Sequence, residues 1–199
     1  MPSLPKDVYR ESLNRLPLVD RKDLDERTRR AYDLAADPKG GTLAGLQGPS
    51  GIWLHSPKMA EPARELNRIL RTETDLGPRL TELAILVTAR EMDHQFEWTQ
   101  HEPAALKAGL ESAIIDIVKY RRPVAGLGAK ETSIINFGRE MLRERKVSSN
   151  TFVATVRVFG HRGIVDLVAL MTQYVATAFV LNVFDQQLRP DVKPLLPTP

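Results

Sequence analysis

One stretch of the sequence carries titratable side chains with the types and spacing that acid-base chemistry needs. In DHQFEWTQHEPAALKAGL, His94, Glu97 and His101 follow one another at offsets of three and four residues. At about 100° per residue, these offsets keep all three side chains on one narrow face of a helix. A histidine titrates near neutral pH and a neighbouring carboxylate orients it, so this face can transfer protons.

A fourth candidate, Glu82, lies in the preceding segment. Residues 78–91 are apolar on almost every side, which is typical of a buried helix. Glu82 shares a stripe with Leu86 and Ala89, and a carboxylate in such surroundings needs a partner or has a raised pKa. The sequence leaves two interpretations of Glu82 open: it belongs to the proton-transfer group, or it forms a structural ion pair with Arg79 or Arg90.

The same residues offer an alternative as a metal site. Two imidazoles and a carboxylate, from His94, Glu97 and His101, are ligands that divalent metals accept. The two histidines are seven residues apart, about 10.5 Å along a helix axis, so one ion is hard to reach from both. We therefore expect no cofactor and keep a divalent metal as the alternative.

The elements that position these residues are predicted to be helices throughout. Helical periodicity recurs along the chain, and no alternating strand pattern bounded by turn residues is present. Gly77 and Gly109 fit C-terminal caps, and Gly160 with Gly163 separates the last two helices. The expected fold is an all-α multi-helix bundle with helices near 24–36, 58–71, 78–91, 93–108, 111–120, 129–145, 149–159 and 163–184.

The glycine-rich segment 38–57 is predicted to be a loop. It has no Lys-Ser or Lys-Thr pair and no GxGxxG spacing, and no strand precedes it, so it does not match a phosphate-binding loop. The closing PDVKPLLPTP cannot be helical and predicts an extended tail over 187–199, lying on a neighbour or mobile.

Composition limits the function classes. The 199 residues suit one domain, 1–199, with its core at about 20–186. The chain has no cysteine, which excludes disulfides, thiolate metal sites and cysteine nucleophiles. The N-terminus lacks a secretory signal pattern, so we expect a cytoplasmic protein. The net charge of +3 is spread among acidic residues, so we expect no nucleic-acid partner.

One charge-free segment, 167–184, reaches the lower limit of length for a membrane span. Asn182, Gln173 and Tyr174 interrupt it, and no basic cluster anchors either end. We interpret it as a buried core helix and expect no membrane partner.

The stretch from Leu80 to Leu110 resembles the conserved segment of the carboxymuconolactone decarboxylase and alkylhydroperoxidase D-like superfamily. The likeness lies in the helix-turn-helix, the Glu97-Trp98 pair, His101 and the Ala-Gly-Leu ending at 108–110. Upstream, GPSGIWLHSPKMAE resembles the lead-in loop of the family. The resemblance covers about 48–110 and implies the all-helical fold of that superfamily.

In the peroxidase branch of this family, a glutamate, a CxxC pair and a histidine form a proton relay that activates the thiols. The resemblance places the glutamate on Glu82 and the histidine on His101. His94 and Glu97 occupy the two cysteine positions, so the thiol chemistry cannot operate here.

The decarboxylase branch needs no cysteine and implies acid-base chemistry on a small oxygenated or carboxylated molecule such as a lactone acid. Its implied acid-base residues are His101 with Glu97 or Glu82, supported by His94. Arg90 and Arg79 are candidates to bind a substrate carboxylate. Residues that could complete the substrate pocket are His55, Trp53 and Asn182, although Trp53 also fits a packing anchor.

Two hypotheses from different classes follow. The first is a proton-transfer enzyme. The second is a non-catalytic helical scaffold or ligand-binding homologue whose polar cluster is a buried network that fixes one packing. In either case we expect self-association as a dimer or a trimer-based ring, because the apolar helices are numerous and the resembled family commonly assembles symmetrically.

Overall fold

The chain folds into helices, as predicted. The computed structural model describes residues 4–40 and 42–197, and in those ranges it contains no strand. A 3-10 helix spans Arg21–Asp23, and a π-helix spans Glu140–Glu144. The all-α class is confirmed. The α-helices of these ranges are α1 Glu26–Ala36, α2 Pro49–Trp53, α3 Pro57–Thr72, α4 Gly77–Glu91, α5 Gln95–Lys107, α6 Ser112–Lys119, α7 Ala129–Arg139 and α8 Ser149–Val183.

Three details differ from the prediction. The short helix α2 lies inside the predicted loop 38–57, where Pro49 supplies the fixed φ of a first helical turn. The helix predicted over 129–145 is α-helical only to Arg139 and then widens into the π-helix. Gly77 begins α4 with φ 72° and does not cap α3, which ends five residues earlier. Gly109, with φ 86°, does follow the end of α5 as predicted.

The contacts of the chain divide it into two compact units, and the prediction of one domain stays a prediction. The first unit comprises 1–68 and 179–193, and the second comprises 69–178 and 194–199. Helices α3 and α8 contribute residues to both.

The second unit is built around α4. Residues 80–90 of this helix are all buried, and α5, α6 and α7 pack against it. Leu83, Ala84, Ile85 and Leu86 have no exposed surface, which confirms the prediction of a helix that is apolar on almost every side. A carboxylate in the middle of α4 therefore needs a partner inside the protein.

Helix α8 is interrupted at Gly160, where φ 70° and ψ 178° leave the helical region. A left-handed φ favours glycine, so the sequence itself sets this break between 149–159 and 161–183. By length and composition alone, α8 passes the test for a membrane-crossing helix, and 44% of its most apolar window is buried. A core helix passes the same test, so the expectation of no membrane partner stays a prediction.

The proline-rich end of the chain packs on α5 within the second unit. The Gln95 side-chain amide donates to the carbonyl of Leu196 at 2.7 Å and accepts from its N–H at 2.8 Å. Leu196 is 4% exposed, and Thr99 Oγ1 accepts from the Leu195 N–H at 3.2 Å. The predicted tail has no helix over 187–197: it turns between Arg189 and Val192 and is bound to α5 at Leu195 and Leu196. Its last two residues, like Gly41 of the predicted loop, lie outside the described residues.

The first unit has a small core of its own, formed by Ala31, Leu54 and Ala60, with Trp53 partly buried against it. A polar contact joins its two chain segments: Asn14 Nδ2 donates to Gln186 Oε1 at 2.9 Å. These contacts hold the start of the chain against the residues that follow α8.

Candidate functional site

Helices α4 and α5 form an antiparallel pair joined by a tight turn, and this turn sets the start of α5. Asp93 has φ 47°, a left-handed conformation that reverses the chain after α4. His94 is the N-cap of α5, and its Nδ1 accepts the backbone N–H of Glu97 at 3.2 Å. The imidazole nitrogen therefore takes the capping role that a Ser, Thr or Asp side chain usually fills.

The geometry places His101 between two carboxylates. Its Nδ1 lies 2.7 Å from Glu82 Oε2 on α4, and its Nε2 lies 3.4 Å from Glu97 Oε2, one turn earlier on α5. The first contact is a hydrogen bond and the second is within ion-pair distance. Glu82, Glu97 and His101 are each 4–5% exposed, so the three groups interact away from bulk water.

Two residues that the sequence analysis did not place in the site complete its surroundings. Arg71, in the last turn of α3, donates from Nη2 to Glu82 Oε1 at 2.9 Å. The ring of Tyr174, from α8, meets the His101 ring edge-on, with centroids 5.1 Å apart and an interplanar angle of 84°. Arg71 is one of several arginines on α3, so only its contact with Glu82 distinguishes it. The one feature of the sequence that could have pointed to Tyr174 is that it interrupts an apolar segment.

The two carboxylates titrate differently. Burial alone would raise the pKa of Glu82, but the hydrogen bond and charge of His101 and the Arg71 guanidinium outweigh it and hold that pKa below its ordinary value. Burial raises the pKa of Glu97 to about 6, against the opposing charges of His101 and Arg71. The site therefore pairs an ionised carboxylate with one that titrates near neutral pH, as acid-base sites do.

The two contacts orient the His101 ring. Nδ1 faces Glu82, whose pKa is held low, and Nε2 faces Glu97. Nε2 and the Glu97 carboxyl are therefore placed to exchange a proton. His101 is thus arranged as a base that a third group, Glu82, holds in orientation.

The residues considered as metal ligands do not form a cluster around one point. Among the described residues, no group of three or more His, Asp or Glu side chains is arranged to hold a metal ion. Nδ1 of His94 is used by the helix cap and Nδ1 of His101 by Glu82. The expectation of no cofactor stays a prediction.

The two arginines considered as partners of Glu82 have other partners, so that interpretation was wrong. Arg79 donates from Nη1 to Glu131 at 2.6 Å and also pairs with Glu111. Arg90 lies eight residues beyond Glu82, about 12 Å along the helix axis. It donates to the carbonyl of Pro197 and pairs with Asp93.

The predicted pocket residues His55, Trp53 and Asn182 belong to the first unit. His55 Nε2 lies 2.8 Å from the carbonyl oxygen of Pro17, Trp53 packs on the small core, and Asn182 is exposed near the end of α8. These placements agree with a structural role for Trp53 in that core. A substrate role for the three residues stays a prediction.

Neither a family model nor a curated relative matches this chain. Membership of the carboxymuconolactone decarboxylase-like superfamily therefore stays a prediction from the residues of 48–110.

Proposed function

We propose that this protein is a proton-transfer enzyme that acts on a small carboxylated or oxygenated molecule such as a lactone acid. The observation that supports the proposal best is the position of His101 between two carboxylates, 2.7 Å from Glu82 and 3.4 Å from Glu97. A carboxyl with a pKa of about 6 and an imidazole beside it are both suited to give and take protons near neutral pH.

In the proposed mechanism, each member of the group has one task. Glu97 takes a proton from the substrate or returns one, and His101 exchanges that proton through Nε2. Glu82 stabilises the imidazolium through Nδ1, and Arg71 keeps Glu82 ionised. If the substrate loses its carboxyl group as carbon dioxide, the electron pair of the broken bond stays on the substrate carbon, and a proton from Glu97 or His101 completes the product.

Arg71 also gives the group a substrate-binding residue. Its side chain is 21% exposed, whereas that of Glu82 is 6% exposed, so water reaches the guanidinium more readily than the carboxylate that it holds. A guanidinium binds carboxylates through paired N–H donors, which suits a carboxylated substrate. Thiol peroxidase chemistry is excluded because the chain has no cysteine to act as nucleophile.

The second candidate function is a non-catalytic scaffold, and the burial of the group favours it. Glu82, Glu97 and His101 are each at least 95% buried, as in a polar network that fixes one packing of the helices. The two functions differ in one measurable property, since a packing network has no need to exchange protons with a bound molecule.

The test is deuterium exchange into a panel of small lactone acids in deuterated water, followed by proton NMR, with carbon dioxide release measured in parallel. We expect the protein to catalyse exchange or decarboxylation of at least one compound, and the Glu97→Gln variant to lose that activity. The exposed His161 lies outside the group, so His161→Gln is the matched control and should retain activity. No exchange and no carbon dioxide from any compound, or full activity in Glu97→Gln, would favour the scaffold.

We also propose that the protein is cytoplasmic, that it self-associates as a dimer or a trimer-based ring, and that it binds neither nucleic acid nor membrane. These proposals follow from the sequence arguments above. Light scattering at micromolar concentration tests the assembly, and a monomer would contradict it.

A further inference from the structure

A cluster of arginines lies at the C-terminal end of α4, about two turns beyond Glu82. Its members come from the last turn of α4, the residues after α6, and the junction of α7 with the π-helix. Two carboxylates from the end of α4 lie among them. The cluster consists of Arg90, Arg121, Arg139 and Arg143, with Glu91 and Asp93.

The two carboxylates link three of the arginines. Asp93 Oδ1 lies 2.9 Å from Arg121 Nη2 and 3.3 Å from Arg90 Nη1. Glu91, whose side chain is 1% exposed, accepts from Arg143 Nη2 at 2.9 Å and lies 3.6 Å from Arg121 Nε. Three guanidinium groups thus contact two carboxylates, and Arg139 contacts neither, so the positive side chains of the cluster outnumber the acidic ones by two.

Backbone carbonyl groups account for part of this excess. Arg139 Nη2 donates to the carbonyls of Ile117 at 3.2 Å and Arg122 at 2.9 Å, and Arg121 Nη2 donates to that of Arg90 at 2.9 Å. These carbonyls lie at or just beyond the C-terminal ends of α6 and α4. The C-terminal end of a helix is equivalent to roughly half a negative charge. Two such ends offset about one of the two unmatched charges. A net positive charge therefore remains among the described side chains of the cluster.

Two donors of the cluster also lack an acceptor. Nε of Arg90 and Nε of Arg121 are buried and have no hydrogen-bond partner within the part of the chain that the structure describes. The Arg90 side chain is 8% exposed, so water does not readily supply the missing acceptor. Burial lowers the pKa of Arg90 and of Arg139, and the charges of neighbouring arginines lower both further.

The cluster is open to solvent on one side. The Arg143 side chain is 43% exposed and that of Arg121 is 28% exposed, whereas Glu91 lies beneath them. Arg143 belongs to the π-helix, a rare local geometry that is frequent at functional sites. The exposed part of the Arg143 guanidinium group is therefore accessible to a small anion from solvent, and the exposed carboxylate of the cluster, Asp93, lies beside Arg121.

We propose that the arginine cluster binds a small oxyanion of the phosphate class, either as inorganic phosphate or as the phosphate group of a small molecule. Guanidinium groups match the geometry of phosphate oxygens through paired N–H donors. The anion supplies negative charge to a cluster in which guanidinium groups outnumber carboxylates. This site is separate from the proposed proton-transfer group and does not depend on its function.

The test is calorimetric titration of the whole chain with inorganic phosphate at about pH 8, where phosphate is mainly a dianion. Chloride keeps the ionic strength constant. We expect saturable binding with a Kd on the order of 1 mM or tighter. Phenyl phosphate, titrated in the same way, distinguishes the two sources: tighter binding of the ester identifies a phosphorylated small molecule, and equal or weaker binding identifies free phosphate.

Three variants test whether phosphate binds at the arginine cluster. Arg139→Gln should weaken phosphate binding about tenfold or more, because it removes a charge that no acidic side chain of the cluster matches. Arg143→Lys keeps the charge next to Glu91 and removes the paired donors, so it should weaken binding less. Arg157, an exposed arginine of α8, provides the matched control as Arg157→Gln. Absence of saturable binding by the unchanged protein overturns the proposal, as does an Arg139→Gln variant that folds and binds phosphate like Arg157→Gln.

Discussion

Helix α4 carries two buried glutamates that the protein treats in opposite ways. Glu82 lies in the middle of the helix with its side chain 6% exposed, and Glu91 is the last residue of the helix with its side chain 1% exposed. Glu82 is held by one histidine and one arginine. Glu91 contacts two arginines, Arg143 and Arg121.

The identity of the partner decides what each glutamate can do. An imidazole has two ring nitrogens that can each hold a proton, so His101 can exchange a proton at Nε2 while Nδ1 keeps its contact with Glu82. A guanidinium stays charged at every physiological pH, so the contacts of Glu91 are fixed in charge. Burial alone therefore does not mark a proton-transfer site, and a titratable partner is also needed. The following predictions test this contrast, from the largest expected effect to the smallest.

Replacement of His101 should have the largest effect. If the group is catalytic, His101→Ala should lower turnover of any substrate by about 100-fold to 10,000-fold, because it removes the residue that exchanges the proton. Turnover and thermal unfolding are measured on the same preparation, with His161→Ala as the control. If the group is only structural, the variant instead loses on the order of 1 to 3 kcal/mol of stability because Glu82 has lost a buried partner.

Replacement of Glu82 and of Glu91 by alanine should cost the protein different amounts of stability. Glu82→Ala leaves the buried His101 without its hydrogen-bond acceptor and should lower the free energy of unfolding by about 3 to 5 kcal/mol. Glu91→Ala should cost less, about 2 kcal/mol, because Arg143 is 43% exposed and can turn toward water. Urea unfolding of both variants gives the comparison. A larger loss for Glu91→Ala would mean that the arginine cluster is the stronger structural element.

The pH dependence of stability should identify Glu97 as a titrating group. Its pKa rises from an ordinary 4.5 to about 6 in the fold, so its contribution to stability is present below pH 4.5 and is lost as the pH rises through 6. The loss amounts to about 2 kcal/mol. Glu82 has a lowered pKa and acts with the opposite sign, in the range below its ordinary value.

The Glu97→Gln variant isolates this effect. Between about pH 4 and pH 7.5, its unfolding free energy should fall by about 2 kcal/mol less than that of the unchanged protein. Glu144→Gln, at an exposed position, is the control and should follow the unchanged protein. Parallel curves for Glu97→Gln and the unchanged protein would show that Glu97 does not titrate in this range.

The smallest effect should come from the second histidine of the motif. His94 caps α5 through Nδ1, so His94→Ala should cost about 1 kcal/mol of stability, and His94→Asn should recover most of it. Thermal unfolding of the two variants measures the difference. A turnover loss in His94→Asn as large as that in His101→Ala would instead place His94 among the residues that transfer the proton.

The two glutamates also show which structural features local sequence patterns predict in this protein and which they do not. Helix α4 was predictable because apolar residues surround it, and the i,i+4 spacing of Glu97 and His101 correctly placed them on one face of α5. The expectation that His94 shares that face was wrong, because His94 precedes the helix as its N-cap. These patterns depend on residues close in sequence. The partners of the buried charges were predicted wrongly, since Arg79 and Arg90 are near Glu82 in sequence but do not contact it.

The sequence by itself determined the helical class, most helix limits, the break at Gly160, the absence of thiol chemistry and the shared face of Glu97 and His101. Each of these follows from local backbone preference, from composition or from helical periodicity. Only the tertiary structure decided that Arg71 holds Glu82 and that Tyr174 meets His101. It also brought the arginines of three separate elements around Glu91. Such contacts join residues far apart in the chain, and they depend on how buried side chains satisfy one another's charge and hydrogen bonds, which no periodicity records.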